Sequence, residues 1–317
     1  MHTSPNDRVK LGATDIEISP LGIGTWAWGD KIMWGYGAGG FTDADLRQAF
    51  DATLAAGVNW FDTAEIYGFG RSETLVGRFV AESGADVKIA TKFMPLPWRL
   101  RPDALLKALR ASLDRLGLPT VDLYQTHFPF PPLSVETWMG AMADAVDAGL
   151  IRAVGVSNYS MEQMGRAFNA LDARGIPLAS NQVHYSLLHR APERDGVLQL
   201  CRDLDITLIA YSPLEMGLLT GKYTPENPPP GGRKLRYRQD YLERIQPLLA
   251  LMREIGAGRG SKSAAQIALN WTICKGTVPI PGAKNARHAA SNAGALGWRL
   301  TDDEVAALDA ASAQLEA

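Results

Sequence analysis

The chain has 317 residues, of which 46% are apolar and 21% are charged, and its 32 basic and 34 acidic side chains leave a formal net charge of −2. This composition excludes an intrinsically disordered chain, and the lack of a basic excess gives no support for nucleic-acid binding. A chain of this length buries about three quarters of its extended surface, so it needs no disulfides or metals for stability.

Eight short apolar or β-branched runs, each followed by a helical spacing of apolar residues, predict parallel βα units. In chain order the predicted strands are residues 21–24, 58–61, 87–91, 121–125, 153–156, 178–182, 207–210 and 277–280. Gly57, Gly117 and Gly149 fall just past three of the predicted helices. Eight strands close a barrel, so we predict an α/β fold: a single (β/α)8 TIM barrel in one domain, residues 1–317.

Three segments fall outside this period. Residues 9–11 and 16–18, joined through Gly12, predict an N-terminal β-hairpin that caps the bottom of the barrel. Residues 26–41 form an irregular stretch rich in glycine and aromatic side chains. Residues 215–240, after strand 7, form an insertion rich in Pro, Gly and Arg and predict a long mobile flap, in which residues 225–238 form no regular element.

The two cysteines, Cys201 and Cys274, have no metal-ligand spacing, so no metal site is expected. Free thiols fit a reducing compartment. The first ten residues are polar, and no run of 18 apolar residues occurs anywhere in the chain. We therefore expect a cytoplasmic protein with no membrane partner.

Polar residues follow each predicted strand, at the end of the barrel where active sites lie. They include Asp62 and Tyr67 after strand 2, Lys92 after strand 3 and His127 after strand 4. Each residue alone has an ordinary explanation as a helix cap, a surface charge or a packing residue. Their occurrence together at successive strand ends favours a catalytic site.

The chemistry of these four side chains favours proton transfer to a carbonyl oxygen. A free phenol has a pKa of about 10, and a nearby ammonium is expected to lower it. Asp62 would keep Lys92 charged and in place, and His127 would orient the carbonyl oxygen. No side chain donates hydride, so a bound reductant is required.

The segments FDTAEIYG, ATKF, YQTHFP, GVSNYS, NQVHYS, YSPLEMGLLTGKY and IPGAKN, in this order, resemble the aldo-keto reductases. The resemblance runs from about Val9 to Ala310. It implies reduction of aldehydes and ketones with NADPH, with Asp62, Tyr67, Lys92 and His127 as the catalytic tetrad and Tyr67 as the general acid.

The resemblance also implies how the cofactor is held. Ser157, Asn158 and Gln182 would bind the nicotinamide carboxamide, and Tyr211 would stack on the ring. The pyrophosphate would be lined by Ser212, Leu214 and Gly217. The adenosine end would be held by Gly282, Lys284, His288 and Asn292.

Two positions depart from the pattern of many relatives. Gly282-Ala283 stands where Lys-Ser is common, and His288 stands in place of an arginine. A 2′-phosphate would therefore be bound by Lys284, or by Arg233, Lys234 or Arg236 on the flap. Because cationic side chains still surround the expected phosphate site, NADP(H) is predicted over NAD(H).

Four tryptophans, Trp26, Trp28, Trp34 and Trp98, are predicted to form an apolar substrate pocket suited to a flat or aromatic carbonyl compound, with packing at the barrel rim as the alternative. The stretches TWAWGDKIMWGYG and NAGALGWRL resemble the branch of the family that includes plant-type pyridoxal reductases. Pyridoxal is therefore the suggested substrate.

Three alternatives remain to be weighed. Gly35, Gly37 and Gly40 match a GxGxxG dinucleotide fingerprint, but KIMW before them is a poor strand. An NADP(H)-binding redox-sensing regulatory subunit would keep the same site residues. An NAD-dependent sugar or polyol dehydrogenase would run the same chemistry in the oxidative direction.

Overall fold

Hydrogen bonds between parallel strands run in chain order around a closed ring. The computed structural model describes residues 7–37, 40–230 and 237–315. Its strands are β1 (Val9–Lys10), β2 (Glu17–Ile18), β3 (Ile23–Gly24), β4 (Trp60–Asp62), β5 (Lys88–Phe93), β6 (Val121–Thr126), β7 (Ile151–Ser157), β8 (Leu178–His184), β9 (Thr207–Tyr211) and β10 (Val278–Pro279). Neighbours from β3 to β10 pair in sequence order, all parallel.

The ring closes between its first and last strands. Gly22 N donates to Pro279 O over 3.0 Å, and Gly24 N donates to Pro281 O over 3.1 Å. Proline lacks an N–H but its carbonyl still accepts, which lets Pro279 and Pro281 serve at this seam. The predicted TIM barrel is confirmed, and each predicted strand overlaps an observed one.

The helices surround the barrel. They are α1 (Asp43–Ala55), α2 (Arg71–Ser83), α3 (Asp103–Leu116), α4 (Val135–Asp147), α5 (Met161–Asp172), α6 (Ala191–Arg194), α7 (Val197–Asp203), α8 (Gln239–Arg244), α9 (Gln246–Gly258), α10 (Ala264–Cys274), α11 (Ala286–Ala293) and α12 (Asp302–Ala313). Capping boxes that begin at Thr42, Ser160, Ser263 and Thr301 set the starts of α1, α5, α10 and α12. No helix in the described part of the chain is long and apolar enough to cross a membrane.

The N-terminal hairpin of β1 and β2 closes the bottom of the barrel, as predicted. Leu11, Ile16 and Ile18 are fully or almost fully buried. They form one apolar cluster with side chains from the barrel strands, among them Trp60 and Leu123. Burial of this cluster away from the C-terminal strand ends leaves the opposite end of the barrel open for a site.

The described part of residues 225–238 contains no helix or strand, as predicted. Residues Glu215–Thr220 form a 3₁₀ turn, and α8 begins at Gln239. Arg233, Lys234 and Arg236, proposed for the flap, lie outside the described residues. Residues 31–34 form bends and no strand, so Gly35, Gly37 and Gly40 do not make a dinucleotide fingerprint.

Two helical glycines give opposite predictions for substitution by alanine. A Cβ on Gly77 of α2 would lie 2.2 Å from the backbone oxygen of Leu116, whereas one on Gly165 of α5 would meet nothing within 4 Å. Gly77→Ala should therefore lower the free energy of unfolding by about 1–3 kcal/mol through overpacking. Gly165→Ala should raise it by about 0.5–1 kcal/mol through helix propensity. Urea unfolding of both variants measures the difference, and an equal gain in both would contradict the tight approach of α2 to α3.

Candidate active site

A cavity of about 540 Å³ opens at the C-terminal ends of the barrel strands. Most of the predicted site residues line it. These are Trp26, Asp62, Tyr67, His127, Ser157, Asn158, Gln182, Tyr211, Ser212, Leu214, Gly217, Gly282, Lys284, His288 and Asn292. Residues from strands β4 to β9 thus meet in one place, as the barrel topology requires.

Lys92 lies beneath this cavity, paired with Asp62. Its Nζ is 2.5 Å from Asp62 Oδ1 and donates to Thr63 O over 2.8 Å, and both side chains are at most 1% exposed. Burial acts to lower the pKa of Lys92, but the charges of Asp62 and Tyr67 outweigh it, and the net pKa is raised. The ammonium therefore keeps its proton across the physiological pH range.

Two glutamine amides complete the surroundings of Asp62. Gln182 Nε2 donates to Asp62 Oδ2 over 2.8 Å, and Gln125 Nε2 donates to the same oxygen over 3.2 Å. Gln125 was not among the predicted site residues, although its position at the end of strand β6 is a signal that could have identified it. Both amides hold the carboxylate in one orientation toward Lys92.

Tyr67 stands over the ammonium. Its Oη is 3.4 Å from Lys92 Nζ, and the ammonium also lies 4.9 Å from the centre of the phenol ring. The turn after it places Gly68, Phe69 and Gly70 at positive φ, which brings the chain back out to α2. This left-handed turn aims the phenol into the barrel mouth.

The expected lowering of the Tyr67 pKa is wrong as a net effect. Burial raises the pKa of the Tyr67 phenol, and the nearby charge of Lys92 opposes this shift without overcoming it. The carboxylate of Asp62 adds to the increase. The phenol therefore keeps its proton at neutral pH and is available as a proton donor.

His127 forms part of the cavity wall as a neutral imidazole. Burial, with a smaller contribution from the charge of Lys92, lowers its pKa to about 3. Its Nδ1 is buried and has no hydrogen-bond partner among the described residues. The ring packs edge-on against Tyr67 and stacks on Phe128. A neutral ring at this position can donate one N–H to a ligand oxygen.

The far side of the cavity is built from strand ends with unusual backbone angles. Asn158 and Ser212 adopt φ values of 62° and 51°, a conformation that residues other than glycine rarely take. Asn158 Nδ2 donates to His127 O over 3.0 Å, and Tyr211 Oη donates to Asn158 Oδ1 over 3.0 Å. Ser157 Oγ donates to Gln182 O over 2.8 Å. These bonds connect the Tyr211 side of the mouth with the His127 side.

Part of the cavity wall carries positive charge. Lys222 and Lys284 line it, and together with Arg287 they help to lower the pKa of His288, for which burial is the larger cause. Lys284 Nζ lies 4.3 Å from the ring centre of Trp34 and 4.9 Å from that of Phe41. Asn292 Nδ2 donates to Gly282 O over 3.2 Å. This part of the cavity wall suits an anionic ligand group.

The aromatic wall differs from the prediction. Trp26 and Trp34 line the cavity as expected, with their rings edge-on and the ring centres 5.4 Å apart. Trp28 is fully buried behind the wall, where its Nε1 donates to Ala283 O over 2.8 Å. Trp98 is 72% exposed and is not part of the lining. Trp28 is a packing residue because its indole N–H finds a backbone partner inside the fold.

Comparisons with known proteins agree with this fold. Residues 20–313 match the model of the Aldo/keto reductase family. The chain is 44% identical to the chloroplastic pyridoxal reductase of Arabidopsis thaliana, over 97% of this chain and 86% of that protein. It is 30% identical to the NADH-specific methylglyoxal reductase of Escherichia coli, over 93% of this chain and 95% of that protein.

A solved structure has the same fold. The glycerol dehydrogenase of Gluconobacter oxydans superposes with a TM-score of 0.85 at 30% identity, covering 98% of this chain and 96% of that one. These matches define an oxidoreductase family with a TIM-barrel fold. The chain belongs to the aldo/keto reductase family.

The buried pair gives a prediction for stability. In Asp62→Asn the amide cannot present oxygen to Lys92 and to both glutamine amides at once, so a buried charge loses its partner. We expect a loss of about 3–5 kcal/mol in the free energy of unfolding. The double variant Asp62→Asn/Lys92→Met should recover more than half of that loss. Urea unfolding of the single and double variants completes the cycle, and additive losses would show that the two side chains are not coupled.

Proposed function

We propose that this protein reduces aldehydes and ketones to alcohols with NADPH, and that one domain, residues 1–317, carries the reaction. The observation that carries the proposal is the position of the Tyr67 phenol in the cavity lining, with its Oη 3.4 Å from Lys92 Nζ. Burial raises the pKa of this phenol, so it keeps its proton at neutral pH. The cofactor, when bound, supplies a hydride for the carbonyl carbon. Tyr67 donates its proton to the carbonyl oxygen, and the Lys92 ammonium stabilises the phenolate that remains.

His127 and Asp62 support this step without exchanging the reacting proton. With a pKa of about 3, the imidazole of His127 stays neutral and offers an N–H to orient the carbonyl oxygen beside Tyr67. Asp62, held by Lys92, Gln125 and Gln182, keeps the ammonium fixed under the phenol. We therefore propose a separate task for each of the four side chains.

The lining of the cavity fits a nicotinamide dinucleotide. Hydrogen bonds connect the Tyr211, Ser157 and Asn158 side chains to one another and to His127, whose ring packs against Tyr67. Lys222 and Lys284 line the same cavity. We propose that the first group holds the nicotinamide and that Lys284 binds the 2′-phosphate of NADP(H). The positive charge around His288 supports the phosphate assignment.

A flat ring compound is the proposed substrate class, with pyridoxal as the specific candidate. Trp26, Trp34 and Phe128 bring three aromatic side chains to the cavity wall. Such walls favour a planar ligand. The 44% identity to a protein named pyridoxal reductase gives independent support for this choice.

We place the protein in a reducing compartment such as the cytoplasm. Cys201 is buried, Cys274 is partly buried, and both are free thiols. Burial raises the pKa of Cys201 to about 12, which suppresses its thiolate. Neither thiol is therefore suited to disulfide exchange.

The first experiment measures NADPH oxidation with pyridoxal, 4-nitrobenzaldehyde, methylglyoxal and a simple sugar. We expect the fastest turnover with pyridoxal. Tyr67→Phe should lower carbonyl reduction by at least about 100-fold while NADPH binding stays unchanged, because only the proton donor is lost. Tyr124→Phe is the matched control, since its hydroxyl is buried in the core away from the cavity.

Three outcomes of this experiment have different meanings. Full activity in Tyr67→Phe would overturn the proposed acid. Equal turnover of all aldehydes would overturn pyridoxal as the preferred substrate. Tight NADPH binding without turnover of any compound would favour the redox-sensing regulatory role.

Oxidation of a polyol with NAD(H) is the second candidate function. It is favoured by the structural likeness to a glycerol dehydrogenase and by the relative described as NADH-specific. The two candidates differ in the need for a phosphate site at Lys284.

Lys284→Ala separates the two cofactors. The variant should bind NADPH about tenfold more weakly and bind NADH within about twofold of the wild-type affinity, because only NADPH carries the extra anion. Lys107→Ala, at an exposed lysine of α3, is the matched loss of one positive charge. Titration of each variant with both cofactors measures the effect. An equal loss for NADPH and NADH would place the phosphate elsewhere.

A further inference from the structure

A cluster of polar side chains lies directly behind Tyr211 and outside the catalytic group. It consists of His184, Ser186, His189 and Glu215, and none of the four lines the cavity. The His184 ring is parallel to the rings of both neighbours, with centroids 3.9 Å from His189 and 5.3 Å from Tyr211. Tyr211 is therefore the end of a stack of three rings and the member that reaches the cavity.

This stack fixes the orientation of the Tyr211 ring. One face of the ring lies against His184, and its Oη donates to Asn158 Oδ1 over 3.0 Å. With one face covered and the hydroxyl held, the ring presents its other face to the cavity. A ligand ring that stacks on Tyr211 thus meets a surface whose tilt is determined by His184.

Glu215 connects the stack to the turn after strand β9. His184 Nε2 contacts Glu215 Oε1, and Ser186 Oγ donates to the same oxygen over 3.0 Å. Glu215 is only 5% exposed, although it belongs to a turn. It begins the 3₁₀ turn Glu215–Thr220, so a single carboxylate oxygen joins a ring on β8 to the start of that turn.

The turn itself has a backbone that needs support. Glu215, Met216 and Gly217 adopt φ values of 47°, 49° and 98°, so three successive residues lie in the left-handed region. Residues other than glycine occupy this region at a cost in free energy, and surrounding contacts must hold them there. Met216, Gly217 and Thr220 line the cavity. The hydrogen bonds of the Glu215 side chain are the contacts positioned to hold this conformation.

We propose that His184 and Glu215 are positioning residues for cofactor binding. His184 sets the plane of Tyr211, and Glu215 ties that ring to the backbone of residues 215–217, so the ring surface and the turn approach a bound nicotinamide dinucleotide as one unit. The inference rests on the proposed use of NADP(H) at this site. It adds two residues that touch neither cofactor nor substrate.

Four variants test this role by NADPH titration, steady-state kinetics and thermal unfolding. Glu215→Ala and His184→Ala should raise the Kd and KM for NADPH about tenfold, while kcat at saturating NADPH changes less than about threefold. Glu215→Gln should bind within about threefold of wild type, because its amide oxygen still accepts from His184 Nε2 and Ser186 Oγ. His184→Phe should fall between wild type and His184→Ala, because it keeps the stack and loses the bond.

Glu193→Gln is the control for a general loss of stability. Glu193 is also a partly buried carboxylate, bonded to Tyr185 and Arg190, but it lies away from the cavity. This variant should lower the Tm and leave the Kd for NADPH unchanged. Weakened binding in Glu193→Gln that matches Glu215→Ala would show a structural effect alone and would overturn the positioning role.

The remaining outcomes separate this inference from the proposed function. Alanine variants that bind NADPH as wild type does would overturn the positioning role and leave the proposed function intact. Glu215→Gln as weak as Glu215→Ala would overturn the role of the hydrogen bonds to Oε1. A wild-type protein that binds neither NADPH nor NADH would overturn both proposals.

Discussion

The ion pair between Lys92 and Asp62 is the constraint on which the site depends. Moving two charges out of water costs several kcal/mol for each ion, and the cost is recovered only where geometry and further hydrogen bonds are good. Here Thr63 O accepts from the ammonium, and amides from two other strands hold the carboxylate. The pair therefore ties strands β4, β5, β6 and β8 together at one depth in the barrel and leaves a fixed positive charge under the phenol of Tyr67.

Burial around this pair sets the chemistry of the neighbouring groups. The same apolar surroundings raise the pKa of Tyr67 and lower that of His127. Both groups are held uncharged: the nearby ammonium opposes the effect of burial on the pKa of Tyr67 and adds to it for His127. The tasks proposed for these side chains therefore depend on desolvation as well as on the identity of the residues.

Several residues just after the barrel strands have positive φ. Asn158 follows β7, Ser212 and Glu215 follow β9, and each adopts a conformation that is costly for a residue with a side chain. Asn158 Nδ2 donates to His127 O, and the Glu215 carboxylate accepts from Ser186 Oγ behind Tyr211. These hydrogen bonds therefore help to offset the free-energy cost of the positive φ values, and they also shape the surface presented to a ligand.

The sequence alone determined the barrel, its hairpin and most of the residues that line the cavity, because strand ends of a parallel barrel converge whatever the packing details. Hydrophobic period and the order of polar residues after each strand were enough to place Asp62, Tyr67, Lys92 and His127 together. Only the tertiary structure decided that Trp28 is buried while Trp34 reaches the cavity, and that Trp98 faces solvent. It also decided that the pKa of Tyr67 is raised, and it placed Gln125 in a hydrogen bond with Asp62 and Glu215 in one with Ser186. These properties depend on depth of burial and on contacts between residues far apart in the chain, which no local pattern encodes.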